Sequence, residues 1–439
     1  MSREVTQEKP QPIVSMDDLL SIFERGARPR AQYKIGLETE KLGATAEGKA
    51  LPFEGPRGIE TILKSYAQRY DWESVLDQGR VIALAKGSKA ITLEPGGQLE
   101  LSGEAVRTVD ALDRELTRHF EELREVSEPL GIRWFSAGVH PWLNLDSAPW
   151  MPKSRYAIMR KLYESRPGMG TQMMKLTASS QFNMDYSNEA DARAKIRVGS
   201  LLGPVVAAMA ANAYVEGGKL NGFCSRRQEI WKFTEPDRSG IQPFFIDGTF
   251  TFERYRDWAV RLPMYFTVRE GNYIERPGLT FEQYMNSFRG EATQADWTLH
   301  LTTLFPDVRL KDHLEFRTAD ATPKPLTLAL AAFWIGAVYD PCALDAIDQL
   351  LGFPSTEGHR AATDEVAKRG LAASYDGKPM LDLARGVVRI AQEGLSRIDA
   401  EQGSNQVGYL DPLLRLLHEG RSLAEQGIAA WSDTYEPSL

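Results

Sequence analysis

Two glutamates on either side of a Pro-Gly-Gly turn, Glu94 and Glu100 in Ile91-Thr92-Leu93-Glu94-Pro95-Gly96-Gly97-Gln98-Leu99-Glu100-Leu101-Ser102-Gly103, have the spacing of a site for a hard cation. Side chains alternate along a strand, so Ile91 and Leu93 oppose Thr92 and Glu94, and Leu99 and Leu101 oppose Gln98, Glu100 and Ser102. The apolar sides must be buried, which leaves the acids lining something else. Lys34-Ile35-Gly36-Leu37-Glu38-Thr39-Glu40-Lys41 repeats the design, with Ile35 and Leu37 against Glu38 and Glu40. Carboxylates on adjacent strands repel one another unless a cation neutralises them. Oxygen donors of this kind suit magnesium or manganese, and magnesium commonly brings a nucleotide phosphate.

Two more segments must share that surface. In Gln181-Phe182-Asn183-Met184-Asp185-Tyr186 the polar and apolar residues separate by parity, and in His313-Leu314-Glu315-Phe316-Arg317 the side chains of Glu315 and Arg317 oppose Leu314 and Phe316. Four segments far apart in the chain therefore read as strands of one sheet with an apolar back and a front of acids, amides and one arginine.

The 439 residues, 42% hydrophobic and 26% charged, have the composition of a soluble globular protein. A net charge of -8 without a Lys/Arg-rich run argues against nucleic-acid binding. The two apolar stretches, residues 198–215 and 326–338, read as buried helices, because the first is broken by Gly203, Pro204 and Asn212 and the second is too short to span a bilayer. Residues 1–15 are polar and contain Pro10 and Pro12, so they read as a short flexible arm and not as a signal peptide; the expected compartment is the cytoplasm. Cys224 and Cys342, the only cysteines, make neither a disulfide framework nor a zinc cluster.

Around the four strands, apolar periodicity predicts helices over 58–70, 109–126, 156–163, 189–214, 252–262, 281–288 and 298–305, and a mostly helical chain after Pro325. Residues 168–174 read as a mobile connection and 217–248 as a loop. A strand is expected over 132–139 and another over 310–318. Strands mixed with helices but without βαβ alternation indicate an α+β fold. No Gly-x-x-x-x-Gly-Lys-Ser/Thr, Gly-x-Gly-x-x-Gly, His-Glu-x-x-His or Gly-x-Ser-x-Gly is present, which sets aside P-loop, dinucleotide, zinc-protease and serine-hydrolase chemistry.

Ile35–Lys41, the Leu93–Gly103 hairpin, Met151-Pro152-Lys153-Ser154-Arg155-Tyr156, Glu189-Ala190-Asp191, Asn221-Gly222-Phe223, the run from His300 to Leu310 and Leu314-Glu315-Phe316-Arg317 together resemble the plant and proteobacterial type of glutamate–cysteine ligase. The landmarks occur in order from about residue 30 to about 340. The resemblance implies a glutamine-synthetase-like fold: an antiparallel β-sheet funnel with flanking helices and a helical C-terminal region. It divides the chain into an arm (1–15), a catalytic domain (16–340) and a helical region packed on it (341–439). It also implies joining of the γ-carboxylate of glutamate to the amine of cysteine, through a γ-glutamyl phosphate, with magnesium (or manganese) and ATP. Glu38, Glu40, Glu94, Glu100 and Glu315 match acids of the metal and nucleotide site. Gln181 and Asn183 lie on the strand lining the glutamate pocket, Arg227 matches an arginine of the substrate loop, and Arg317, with Glu315, falls on the catalytic strand, where it would contact phosphate. Partners would be small molecules, with no nucleic acid and no membrane. Leu176 and Ala178 stand where the family pattern has arginine and cysteine, and Thr318-Ala319-Asp320-Ala321-Thr322-Pro323 departs from a glycine-rich continuation. The alternative reading is a related ATP-dependent carboxylate–amine ligase whose pocket around Leu176, Ala178 and Ser179 takes another amine or acid. From another class, the sheet could serve a non-catalytic binding protein, which the retained front-face acids disfavour.

Overall fold

The computed structural model describes residues 11–431. Its centre is strand β1 (Ile35–Thr45), followed by β2 (Glu73–Asp77), β3 (Arg80–Lys86), β4 (Lys89–Leu93), β5 (Leu99–Ser102), β6 (Ile132–Phe135) and β7 (Ser180–Met184), with β8 (Val308–Leu310) and β9 (Leu314–Phe316) much later in the chain. They form one nine-stranded sheet in the order β8-β9-β7-β1-β5-β4-β3-β2, and β6 pairs with the far end of β1. Each pairing in this sheet is antiparallel. The α+β class with a large antiparallel sheet and flanking helices is therefore as expected.

Register carries the parity argument into three dimensions. Glu40 lies opposite Glu100, Glu38 opposite Ser102 on one side and Gln181 on the other, Thr92 opposite Glu100, and Glu315 opposite Asn183. Behind them Leu37 pairs with Phe182 and Phe182 with Phe316, and all three are buried. Phe316 stacks on Trp334, ring centroids 4.2 Å apart, and so fixes the sheet to the helix Lys324–Val338. That helix is buried from Leu326 to Val338, because it lies between the sheet and the long helix Met380–Gln402. The two helices meet where Gly336 faces Ala391 and Gly394 faces the Gly336 carbonyl; a side-chain carbon at either glycine would collide with backbone.

Several local expectations are corrected. Residues 170–174 of the expected mobile connection belong to the helix Gly170–Leu176. The helix expected over 189–214 is two, Glu189–Leu201 and Gly203–Met209, because Pro204 has no N–H to continue the first and its fixed φ suits the opening of a second. The loop over 217–248 contains the helix Arg226–Lys232, capped by the Ser225 side chain, which accepts from the Gln228 N–H. The strand expected over 310–318 is the hairpin of β8 and β9. Pro341–Leu351, not foreseen as a separate helix, has a Pro at its start and an Asp340 cap. Residues 1–10 of the expected arm lie outside the described residues; from residue 11 the chain is anchored, since Ile13 is buried and donates to the Ala292 carbonyl. Among the described residues no single helix is long and apolar enough to cross a membrane.

Candidate active site

The front of the sheet holds two groups of charge. The first is acidic. Glu40 and Glu100 face each other across β1 and β5, and Glu94 follows β4 at the mouth of the Pro95-Gly96-Gly97 turn. Gly97 has a positive φ of 95°, and a side chain at Gly96 would run into the Lys175 carbonyl, so this turn fits only because both are glycine. Gln98 belongs to the turn and not to the ligand set: its side-chain oxygen accepts from the Gly96 N–H, and its amide donates to the carbonyls of Thr177 and Met174. Glu40 accepts from both the N–H and the hydroxyl of Ser179. Glu100 accepts from the hydroxyls of Ser102 and Thr92.

Burial first, and then the charge of Glu100, push Glu40 up to about 7 and Glu94 up to about 8, although Arg227 and Arg155 respectively pull them down. One oxygen of Glu94 is buried without a hydrogen-bond partner. Among the described residues no group of three or more His, Cys, Asp and Glu side chains is placed to hold a metal ion by itself. The donor chemistry nevertheless fits magnesium, which keeps several waters and takes one or two carboxylates plus phosphate oxygens. A divalent ion would relieve both the mutual repulsion and the unpartnered Glu94 oxygen.

The second group is balanced. Glu315, fully buried, receives a bidentate pair from Arg309 (Nη2 at 2.6 Å and Nε at 3.2 Å), the ammonium of Lys311 at 2.8 Å, and Arg317. Burial alone would raise its pKa, but Arg309, Lys311 and Arg317 hold the carboxyl well below the usual range. With three cations around its two oxygens, Glu315 is arranged to orient Arg309 and Arg317. Glu38 stands on the same face and accepts from Asn183 at 3.0 Å, while the Asn183 oxygen is buried and unpartnered. Gln181 joins the two groups: its oxygen accepts from Arg317 and its amide donates to the Ser179 hydroxyl, which in turn donates to Glu40.

Arg227 projects from the helix Arg226–Lys232 and is anchored by the carbonyls of Arg317 (2.9 Å) and Thr318 (3.4 Å), with Asp320 at 3.9 Å. Trp231, one turn along, and Phe305 flank the Arg317 guanidinium. These four residues form a wall between two cavities. A smaller one of about 130 Å³ is enclosed by the acids, Arg155, Met173, Met174 and Arg309, and a wider one of about 990 Å³ lies on the side of Lys232, Asp307 and His359. Three buried polar atoms without partners, on Glu94, Arg155 and Trp231, belong to residues lining the smaller cavity, as expected of a site built for a polar ligand.

The structure thus brings Glu38, Glu40, Glu94, Glu100, Gln181, Asn183, Arg227, Glu315 and Arg317 to one face. Sequence reasoning left Arg155, Arg309 and Trp231 without roles. Arg309 was visible as the polar residue between Val308 and Leu310, and Arg155 stood inside a landmark segment. Leu176 and Ala178, by contrast, are buried and do not line the cavity; Thr177 and Ser179 do. Two of the three positions on which a different substrate pocket was argued therefore point away from it.

Buried carboxylates beside buried arginines on one antiparallel sheet make the arrangement of a phosphoryl-transferring ligase. The chain belongs to the glutamate–cysteine ligase family: the model described as glutamate–cysteine ligase family 2 matches residues 34–435. It is 35% identical over 433 residues to the chloroplastic glutamate–cysteine ligase of Solanum lycopersicum, covering 97% of this chain and 82% of that protein. The chloroplastic glutamate–cysteine ligase of Nicotiana tabacum is 36% identical over 418 residues, 94% of this chain and 79% of the relative. A crystal structure of glutamate–cysteine ligase from Francisella tularensis in complex with AMP is 13% identical and covers 91% of this chain and 93% of that one, with a TM-score of 0.49. The cytoplasmic expectation is corrected by these relatives, whose names place them in the chloroplast. The polar composition of residues 1–15 does not select a compartment.

Proposed function

We propose that this chain joins the γ-carboxylate of L-glutamate to the amine of L-cysteine with ATP, the reaction that its relatives' names describe. The observation that carries the reading is the register that sets Glu40 against Glu100, with Glu94 beside them, one Gln181 bridge away from Arg317. A carboxylate is a poor acyl donor. Attack of a γ-carboxylate oxygen on the γ-phosphorus of ATP releases ADP and leaves an acyl phosphate; attack of the amine nitrogen on the acyl carbon then expels phosphate, and the amine loses a proton.

Arg317, oriented by Glu315 and Gln181, stabilises the phosphoryl group as it transfers. Arg309 shares the Glu315 anchor with Arg317. Arg227 supplies a fixed guanidinium for the α-carboxylate of glutamate, a role in which a planar fork outperforms an ammonium. Asn183 and Gln181 offer polar contacts on the same strand. Glu40, Glu94 and Glu100, with Glu38 on the same face of β1, are the residues that would hold magnesium or manganese. Bound there, such an ion would offset phosphate charge and polarise the phosphorus–oxygen bonds.

Phosphate release with ATP and glutamate, measured across a panel of amino acids, tests the reading. The expected result is release that requires an acceptor and is fastest with cysteine. Cysteine giving no more phosphate than ATP alone would overturn it.

A further inference from the structure

The next residue along β1 from Glu40 points the other way. Lys41 is 5% exposed, and its ammonium lies 4.7 Å from the centre of the Phe120 ring and donates to the Ser136 hydroxyl. No carboxylate pairs with it among the described residues. A buried ammonium without a counter-charge is costly, and such groups are normally paired. Lys41 is not sealed in the core, however. It lines a cavity of about 780 Å³ between the helix Val109–Ser127 and β6, with Phe120, Leu123, Ile132 and Trp134 as apolar walls. Lys324, which is paired with Asp113, also lines it, and at its exposed rim Arg124 and Arg133 stand with Glu121 and Glu128.

We infer that this cavity is a second ligand site, for a small organic anion with an apolar body, whose carboxylate, sulfonate or similar head group pairs with Lys41 while the body lies against Phe120 and Trp134. The apolar walls supply burial of the body and the lysine supplies orientation, which is the common division of labour in small-molecule sites. His119, which lies close enough to feel the Lys41 charge, is held neutral by burial and does not compete as a cation. Because Lys41 follows Glu40 on β1, the two sites lie on opposite faces of that strand.

The probe is 8-anilinonaphthalene-1-sulfonate, an aryl sulfonate, titrated by fluorescence into the full chain with ADP and glutamate in excess. The expected result is one saturable site whose affinity falls about thirtyfold or more in Lys41→Met, which keeps the bulk and removes the charge. Equal affinity in that variant, or no saturable site in the wild type, would overturn the proposal. If Lys41→Met does not fold, Trp134→Leu, at the wall assigned to the apolar body, decides: weaker binding than wild type supports the site and unchanged binding overturns it.

Discussion

Glu94 and Glu315 are the same residue type on the same face of the same sheet, both buried, and their carboxyls move in opposite directions. Glu94 is driven up to about 8 by burial and by Glu100, whereas Arg309, Lys311 and Arg317 hold Glu315 well below the usual carboxylate range despite its burial. The difference lies in the neighbours that register and hairpin geometry supply. One half of the face is balanced within itself; the other is short of positive charge.

Removing the centre of the balanced half should have the largest effect. Glu315→Gln leaves Arg309, Lys311 and Arg317 without their common counter-charge, and breaking a buried ion network from one side costs about 3–5 kcal/mol. Urea unfolding should show that loss together with loss of turnover; unchanged stability would mean that the network is not what holds this corner.

The two arginines at the wall between the cavities should separate next. Arg227→Lys should chiefly raise KM for glutamate, by an amount equivalent to about 2–5 kcal/mol of lost pairing. Arg317→Lys should chiefly lower kcat, since it weakens a contact that strengthens as the phosphoryl group moves. Steady-state kinetics with glutamate and ATP varied separately would distinguish them, and an effect of Arg227→Lys on ATP alone would reverse the roles.

The acidic half should respond in the other sense. A carboxyl whose folded pKa lies above its unfolded value of 4.5 binds more protons in the folded state, so its unfavourable contribution is absent below about pH 4.5, grows as pH rises, and is complete above about pH 8. Without divalent ions, Glu94→Gln should therefore be more stable than wild type at pH 8 by at least about 1.4 kcal/mol, one pKa unit's worth, and indistinguishable at pH 4.5. Its turnover should be abolished, as should that of Glu38→Gln and Glu100→Gln. Thermal melts at the two pH values with a chelator, and again with magnesium, would test both the sign and the relief by cation.

The smallest effect belongs to the cysteines. Cys224 is buried, and burial pushes its thiol up to about 12, so it is a poor thiolate at neutral pH, and Cys342 is exposed. The double Cys→Ser variant should match wild-type activity under oxidising and reducing conditions alike. A redox response that disappears in the variant would contradict this.

Much of this face was legible in the sequence because strand parity is a strict rule: once Ile35 and Leu37 are buried, Glu38 and Glu40 have no choice of side. What was not legible is which acids would meet which cations. That depends on pairing between β8 and β9, three residues each and joined by a turn that periodicity cannot see, and on Arg155, which belongs to no strand. The reading of Leu176 and Ala178 is corrected for another reason: Leu176 ends a helix and Ala178 lies between it and β7, so their departure from the family pattern fell beside the pocket in sequence and behind it in space. The helix Gly170–Leu176 was missed for a related reason: two turns are too short to display a period.

The contact at Gly336 and Gly394 bears on how the chain could be divided. Where two helices touch backbone to backbone, neither has a surface of its own. The stretch beyond residue 340 is thus the other half of the packing that closes over Leu326–Val338, more than a cover laid on a finished domain. A chain ended at residue 340 would present to water a helix buried at every position from Leu326 to Val338. It should accumulate as insoluble protein even though every residue of the candidate site is still encoded in it.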